Sequence, residues 1–216
     1  MKNNKYEESY HSMFHKKLLS DIKYYLFRAR YADKIYWKYF ENSKNGKFIE
    51  FGCGMGQNIF MHKKNSTGID ISNFAIKQCK KKGINVIKDI KKIDSGSIEG
   101  IICCHVLEHL EEPAYYLREF LRVLKKGGKL VLVLPANKNE GIKAPDFKAW
   151  HLYAWTVSAI WALLHTVGFK VKIAKFNYAF GFSLFYKLPL PFAMAVLKSS
   201  GYLRNQKEMI IVAEKE

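Results

Sequence analysis

Short apolar runs alternate with longer amphipathic stretches through the middle of the chain. Five runs have the length and composition of buried β-strands: 47–51, 66–71, 84–88, 100–104 and 129–134. Helical spacing predicts a helix over 73–82, with Ser72 as its N-cap, and another from Pro113 to the glycine pair at 127–128. This alternation predicts an α/β domain with a largely parallel sheet.

Both flanks depart from this alternation. Within residues 1–45, large apolar residues over 18–40 recur at roughly helical spacing, which predicts N-terminal helices before a domain over 46–216. The C-terminal flank is predicted to hold a loop at 136–150, a helix at 152–167 ended by Gly168, and strands at 169–175 and 208–213. The two strands lack a regular βαβ connection, so we expect an antiparallel pair at the sheet edge.

Residues 178–203, here called the apolar segment, are rich in aromatic and aliphatic side chains. Their only charges are Lys187 and Lys198. Two interpretations stay open. The segment caps the sheet edge, or it has a functional role, either as a lid for an apolar or lipid-linked acceptor or as a surface that docks on a membrane.

The net charge restricts the choice of binding partners only in part. The 216 residues carry 36 Lys and Arg against 19 Asp and Glu, a net charge of +17. Such a field attracts nucleic acid, anionic lipid or phosphorylated substrates. However, only five of these residues are Arg, and the lysines are spread along the chain, so nucleic-acid binding is not favoured.

The apolar runs and the cysteines also indicate the cellular compartment of the protein. No apolar run reaches 18 residues, and the first twelve residues hold no apolar signal core, so we expect a cytoplasmic protein with peripheral membrane contact as an option. The four cysteines form no CxxC pair, which favours reduced thiols over a disulfide or a zinc site.

A glycine-rich turn follows the first predicted strand, in Glu50-Phe51-Gly52-Cys53-Gly54-Met55-Gly56. We expect it to open a helix whose free N–H groups face an anion such as a carboxylate. The dinucleotide fingerprint GxGxxG would need a third glycine at Gln57, which argues against a nicotinamide cofactor. The GxGxG spacing, with an acid two residues before it, resembles motif I of the class I S-adenosylmethionine (SAM)-dependent methyltransferases.

Further segments resemble that family in the expected order. Asp70-Ile71 ends the second strand, Asp89-Ile90 follows the third, and 104–109 (CHVLEH) follows the fourth. Residues 122–130 (RVLKKGGKL) and the stretch from His151 resemble later family segments. The resemblance implies a cofactor site made of Glu50, Gly52, Cys53, Gly54, Gly56, Asp70, Ile71, Asp89, Ile90 and Cys104, in which Asp70 accepts hydrogen bonds from the ribose hydroxyls.

The resemblance also implies a fold and an activity. The fold is a Rossmann-like, doubly wound, seven-stranded sheet, mostly parallel with an antiparallel last strand, with N-terminal helices and the apolar segment before the last strand. The activity is transfer of the methyl group of SAM, leaving S-adenosylhomocysteine, to a small-molecule or lipid- or glycan-linked acceptor, with oxygen as the expected acceptor atom. The alternatives are an RNA methyltransferase and a non-catalytic SAM-binding protein.

A hydroxyl acceptor needs a base, and three histidines are candidates. His105, His109 and His151 are predicted to gather near Glu108 at one end of the sheet. The spacing H-x-x-E-H is similar to the E-x-x-E-H metal box of a few related enzymes, with His105 in place of the first Glu. We expect no resident metal here and keep a metal on these groups as the alternative.

Overall fold

The computed structural model describes residues 6–43, 46–136 and 151–216. The loop predicted over 136–150 therefore lies, past its first residue, outside the described residues. The strands are β1 (Phe48–Phe51), β2 (Ser66–Ile69), β3 (Asn85–Ile87), β4 (Ile98–Cys104), β5 (Leu124–Pro135), β6 (Phe169–Tyr178) and β7 (Lys207–Lys215). The helices are α1 (Glu8–Phe14), α2 (Lys16–Ser20), α3 (Ile22–Ile35), α4 (Asn73–Lys81), α5 (Pro113–Val123), α6 (Val157–Val167), α7 (Phe182–Phe185) and α8 (Leu190–Leu203).

In the described part of the chain the strands form one seven-stranded sheet in the order β3-β2-β1-β4-β5-β7-β6. Strands β1 to β5 pair in parallel, and β7 runs antiparallel to both of its neighbours, β5 and β6. The predicted fold class and the antiparallel pair at the edge are confirmed. The strand order reverses between β1 and β4, and the carboxyl ends of strands at such a point border a crevice.

Alternating side chains of the strands build a core on each face of the sheet. Ile101 of β4 faces a core that includes Leu117 and Phe120 of α5. The next residue, Ile102, faces a second core that includes Trp37, from the 3-10 helix after α3, and Cys79 of α4. This period of two places the N-terminal helices and α4 on one face, and α5 and α6 on the other.

The helix expected directly after Gly56 does not form, which corrects the prediction. The chain instead makes turns and a short 3-10 helix at Phe60–His62 before β2. Side chains of the N-terminal segment donate hydrogen bonds to backbone carbonyl groups that, in a helix, would accept from N–H groups of the same helix. The Tyr25 hydroxyl donates to the Met55 carbonyl at 3.1 Å, and the Trp37 indole donates to the Asn58 carbonyl at 2.6 Å.

Other boundaries move for local reasons. The helix predicted from residue 152 begins at Val157, because the Thr156 hydroxyl accepts from the Ala159 N–H as an N-cap. The stripe over 18–40 is divided by Asp21, whose carboxylate caps α3. No helix in the described residues has both the length and the apolar character needed to cross a membrane.

Candidate cofactor and acceptor site

A cleft of about 1140 Å³ lies at the carboxyl ends of β1, β2 and β4. Of the predicted cofactor residues, it is lined by Glu50, Gly52, Cys53, Gly54, Asp70, Ile71, Asp89, Ile90 and Cys104. All three candidate histidines, His105, His109 and His151, line the same cleft. The strand ends thus bring together residues that are up to about one hundred positions apart in the chain.

Gly56 is the predicted cofactor residue that does not line the cleft. A Cβ there would lie 2.5 Å from Ile84 Cδ1, so this glycine serves the close packing of its loop. Gly52 combines both roles, because it lines the cleft and a Cβ on it would lie 2.3 Å from Val106 Cγ2. Its φ of +72° is one that glycine adopts without strain.

Asp70 joins the glycine loop to the start of α4. One carboxylate oxygen accepts from the Gly54 N–H at 2.8 Å and the other from the Ser72 N–H at 2.9 Å. A carboxylate has about four acceptor positions, so about two remain for ligand hydroxyls. The donor set therefore fits a ribose diol.

Glu50 is a buried carboxylate with one atom unused. Its Oε1 accepts from Asn58 Nδ2 at 2.6 Å, whereas its Oε2 has no hydrogen-bond partner within residues 6–43, 46–136 and 151–216. Burial raises the pKa of Glu50 well above its usual range. A cationic ligand group at Oε2 would satisfy this atom and stabilise the ionised form, so the site fits an ammonium group.

The far side of the cleft suits a flat ring. Ile90 is buried and Ile71 is half exposed, and both line the cleft beside the aromatic rings of Tyr115 and Tyr116. Asp89 lines this side as well, with one oxygen accepting from the Lys91 N–H at 2.9 Å. Glu50 thus fits the amino-acid part of SAM, Asp70 fits the ribose, and this side of the cleft fits the adenine ring.

A second polar group surrounds Glu108, which is fully buried. Neither of its carboxylate oxygens has a hydrogen-bond partner among the described residues. The Nε2 atoms of His109 and His151 each lie 4.0 Å from Glu108 Oε1, and the two rings meet edge to face with centroids 4.9 Å apart. Ligand atoms of these three residues lie within 4.8 Å of one another, close enough to hold a metal ion such as zinc or iron.

His105 differs from the other two histidines. Its Nε2 lies 3.1 Å from Glu208 Oε2 and its Nδ1 lies 3.6 Å from Glu108 Oε1. Burial lowers the pKa of His105, but the interactions with the two carboxylates outweigh it and raise the pKa to about 10. A protonated imidazole cannot accept a proton, so His105 acts as a cation in this cleft at neutral pH.

Sequence reasoning missed Glu208 because it lies on β7, about one hundred residues after His105. The antiparallel insertion of β7 beside β5 brings it to the same end of the sheet, with Glu208 opposite Pro135. Its other oxygen accepts from Tyr36 Oη at 3.1 Å and from Asn177 Nδ2 at 2.8 Å. Burial raises the pKa of Glu208, but these partners and His105 outweigh it and lower the pKa overall.

The interaction of His105 with Glu108 and Glu208 predicts how the stability of the fold changes with pH. The pKa of His105 is higher in the folded than in the unfolded state. Its contribution to the free energy of unfolding is therefore complete below about pH 6.5 and declines as the pH rises towards 10. The ring is 44% exposed, so we expect a loss of only about 1 kcal/mol over this range. Urea unfolding of wild type and His105→Gln should show their stability difference shrinking from pH 6.5 to 9.5.

The control for that series is His165→Gln, since His165 is exposed on α6 and away from the cleft. A His105→Gln difference that stays constant across the pH range would contradict the pairing.

Comparisons with known proteins agree with this geometry. Residues 49–132 match the methyltransferase domain family. The chain is 25% identical over 121 residues to phosphatidylethanolamine N-methyltransferase of Cereibacter sphaeroides, covering 50% of this chain and 60% of that protein. It is 26% identical over 99 residues to ubiquinone biosynthesis O-methyltransferase of Xanthomonas oryzae, covering 40% and 41%. The chain thus spans about half the length of the curated relatives it matches.

Solved structures share the fold across nearly the whole chain. A SAM-dependent methyltransferase of Archaeoglobus fulgidus superposes with a TM-score of 0.64 at 21% identity, covering 95% of this chain and all of that one. The N1-methyltransferase for 1,6-didemethyltoxoflavin of Burkholderia thailandensis, solved with S-adenosylhomocysteine, has a TM-score of 0.61 at 16% identity, covering 96% and 84%. Residues 49–132 thus form a methyltransferase domain, and the chain has the fold and the ordered strand-end motifs of class I SAM-dependent methyltransferases.

Proposed function

We propose that this chain transfers a methyl group from SAM to an oxygen of a small-molecule or lipid-linked acceptor. The observation that carries the proposal is a single cleft that holds both a SAM-type donor set and the Glu108 imidazole group. Bound SAM supplies an electrophilic methyl group on a sulfonium. The work of the protein is then to position the reactants, exclude water and accept the acceptor proton.

Three carboxylates divide the binding work. Glu50 offers its unpartnered Oε2 to the ammonium group, and Asp70 offers its free lone pairs to the ribose. Asp89 lies beside Ile90 at the ring end of the cleft. This order along the carboxyl ends of the strands supports binding of the cofactor in one orientation.

His151 is our candidate for the base. Its side chain is 38% exposed, against 14% for His109, so an acceptor in the cleft can reach it more easily. The buried carboxylate of Glu108, 4.0 Å from His151 Nε2, would stabilise the imidazolium that forms when His151 takes a proton. His109 packs against the ring of His151 and so helps to position it.

The apolar segment supports an acceptor with lipid character, though not as a lid. None of its described residues lines the cleft. Ala193 and Leu197 of α8 pack instead on Phe27 and Tyr31 of α3, as a cap would. The outer side exposes several large apolar residues, among them Leu184, Phe192 and Leu203. Such a surface, on a chain whose net charge is +17, suits an anionic membrane. Two curated relatives are named phosphatidylethanolamine N-methyltransferase and ubiquinone biosynthesis O-methyltransferase.

The test of the cofactor assignment is thermal unfolding with S-adenosylhomocysteine. At 100 times Kd the ligand should add about 2.7 kcal/mol of stability, which corresponds to roughly 5–10 °C in melting temperature for a chain of this size. Isothermal titration calorimetry supplies Kd, and NADH is the control ligand. Binding of NADH without binding of S-adenosylhomocysteine would refute the proposal.

A further inference from the structure

The helix α8 carries apolar residues on its outer side as well as on its inner side. Ala193, Leu197 and Gly201 follow one another at intervals of four, are buried and form the inner side. On the outer side, Phe192 is 69% exposed and Leu203 is 84% exposed. A helix that is apolar all round is ordinarily buried all round, so the outer side of α8 has the character of a contact surface.

This exposed apolar surface continues onto α7, which contacts α8. Leu184 of α7 and Leu188, in the turn between the two helices, are both exposed. Spacings of four and seven residues place Phe192, Val196 and Leu203 on one side of α8, and all three are exposed. We call these five residues the docking face: Leu184, Leu188, Phe192, Val196 and Leu203.

The charges around the docking face all have the same sign. Residues 178–207 include Lys187, Lys198, Arg204 and Lys207 but no Asp or Glu, and the first three of these cations are exposed. An anionic bilayer matches both features, because its interface takes up apolar side chains while its phosphate groups attract Lys and Arg. A second copy of the chain matches them poorly, since a two-fold interface would bring the same cations together.

The helix α7 also borders the rim of the cleft. Lys17 of α2 lines the cleft, and its Nζ donates to the Ser183 carbonyl at 2.8 Å. Tyr24 of α3 lines the cleft as well, and its ring meets the Tyr186 ring edge to face with centroids 5.4 Å apart. Phe14, a third lining residue, is itself exposed. The N-terminal helices thus connect the mouth of the cleft to the docking face.

We propose that the docking face binds the surface of an anionic phospholipid bilayer. Leu184, Phe192 and Leu203 enter the interface, while Lys187 and Lys198 meet the lipid phosphates. The mouth of the cleft then lies beside the lipid surface, where a lipid-linked acceptor reaches it without leaving the membrane. This consequence for the acceptor rests on the proposed function, whereas binding to the bilayer does not.

Vesicle flotation of the full chain tests the docking face. At low salt the wild type should float with vesicles of phosphatidylglycerol and phosphatidylcholine and stay in solution with phosphatidylcholine alone. We expect the double variant Phe192→Ser/Leu203→Ser to bind the anionic vesicles at least about tenfold more weakly, because it removes the apolar surface that enters the interface. Trp161→Ser is the matched control, since Trp161 is exposed on α6, on the other face of the sheet.

A second pair of variants tests the cations. Lys187→Gln/Lys198→Gln should weaken binding to anionic vesicles about tenfold at low salt and less at high salt, because salt screens exposed charges. Lys64→Gln/Lys126→Gln removes the same charge from exposed positions outside 178–207 and should bind like wild type. Unchanged melting temperatures and S-adenosylhomocysteine affinity within twofold of wild type show that the variants keep their fold.

Each outcome bears on one proposal. If wild type does not float with anionic vesicles, or if docking-face and control variants bind them equally well, the docking face is refuted and the proposed function stands. If wild type sediments as a dimer that Phe192→Ser/Leu203→Ser converts to a monomer, a second copy covers this face and the inference is wrong. If wild type floats but does not bind S-adenosylhomocysteine, the proposed function fails and the docking face stands.

Discussion

Replacing Asp70 with alanine is expected to weaken binding of S-adenosylhomocysteine by 1.5–3 kcal/mol, roughly 10- to 150-fold, as expected for the loss of charge-assisted hydrogen bonds. Both oxygens of this carboxylate already hold backbone N–H groups, on Gly54 and Ser72. The substitution thus removes the ligand contacts and also the bond that fixes the glycine loop.

Calorimetry against wild type measures the effect, and two further variants separate its parts. Asp70→Asn keeps the size and one acceptor oxygen, so it should retain part of the loop geometry but lose the charge. Asp94→Asn is the control, because Asp94 is exposed and away from the cleft. Affinity of Asp70→Ala within twofold of wild type, with an unchanged melting temperature, would exclude Asp70 from the site.

Asp70 also illustrates what the sequence could predict. It ends an apolar run that reads as a buried strand, and a parallel sheet brings such strand ends to one edge. The family resemblance assigned Glu50, Asp89 and Cys104 to the cofactor site, and all three line this cleft at or beside the ends of recognisable strands. Strand patterns together with that resemblance were sufficient wherever a functional residue lies at the end of a strand.

The missed features depend on contacts distant in sequence. The glycine loop was expected to open a helix, but Tyr25 and Trp37 bind its carbonyls, and neither lies near it in sequence. Arg28 lies within a stripe that predicted a helix but not which of its side chains would line the cleft. The pairing of His105 with Glu208 requires β7 to insert beside β5, and no spacing in the sequence reports that register.

Replacing His151 with alanine is expected to lower turnover by about 10²- to 10⁴-fold, the usual contribution of a general base. Binding of S-adenosylhomocysteine should stay within twofold, because His151 belongs to the acceptor side of the cleft in our proposal. Transfer of tritium from labelled SAM into lipid and aqueous fractions of a cell extract measures turnover without knowledge of the acceptor. His165→Ala, on the exposed side of α6, is the control.

His109→Ala and metal analysis distinguish a base from a metal ligand. If Glu108, His109 and His151 hold an ion, losing either imidazole removes a ligand, so both variants should lose metal and activity together. If His151 is the base, protein prepared without a histidine tag should carry metal only at contamination level and keep its activity in chelator. His109→Ala should then cost less than His151→Ala, because it only positions the other ring. Turnover within threefold of wild type in both variants, less than about 1 kcal/mol in the barrier, would exclude the base as well.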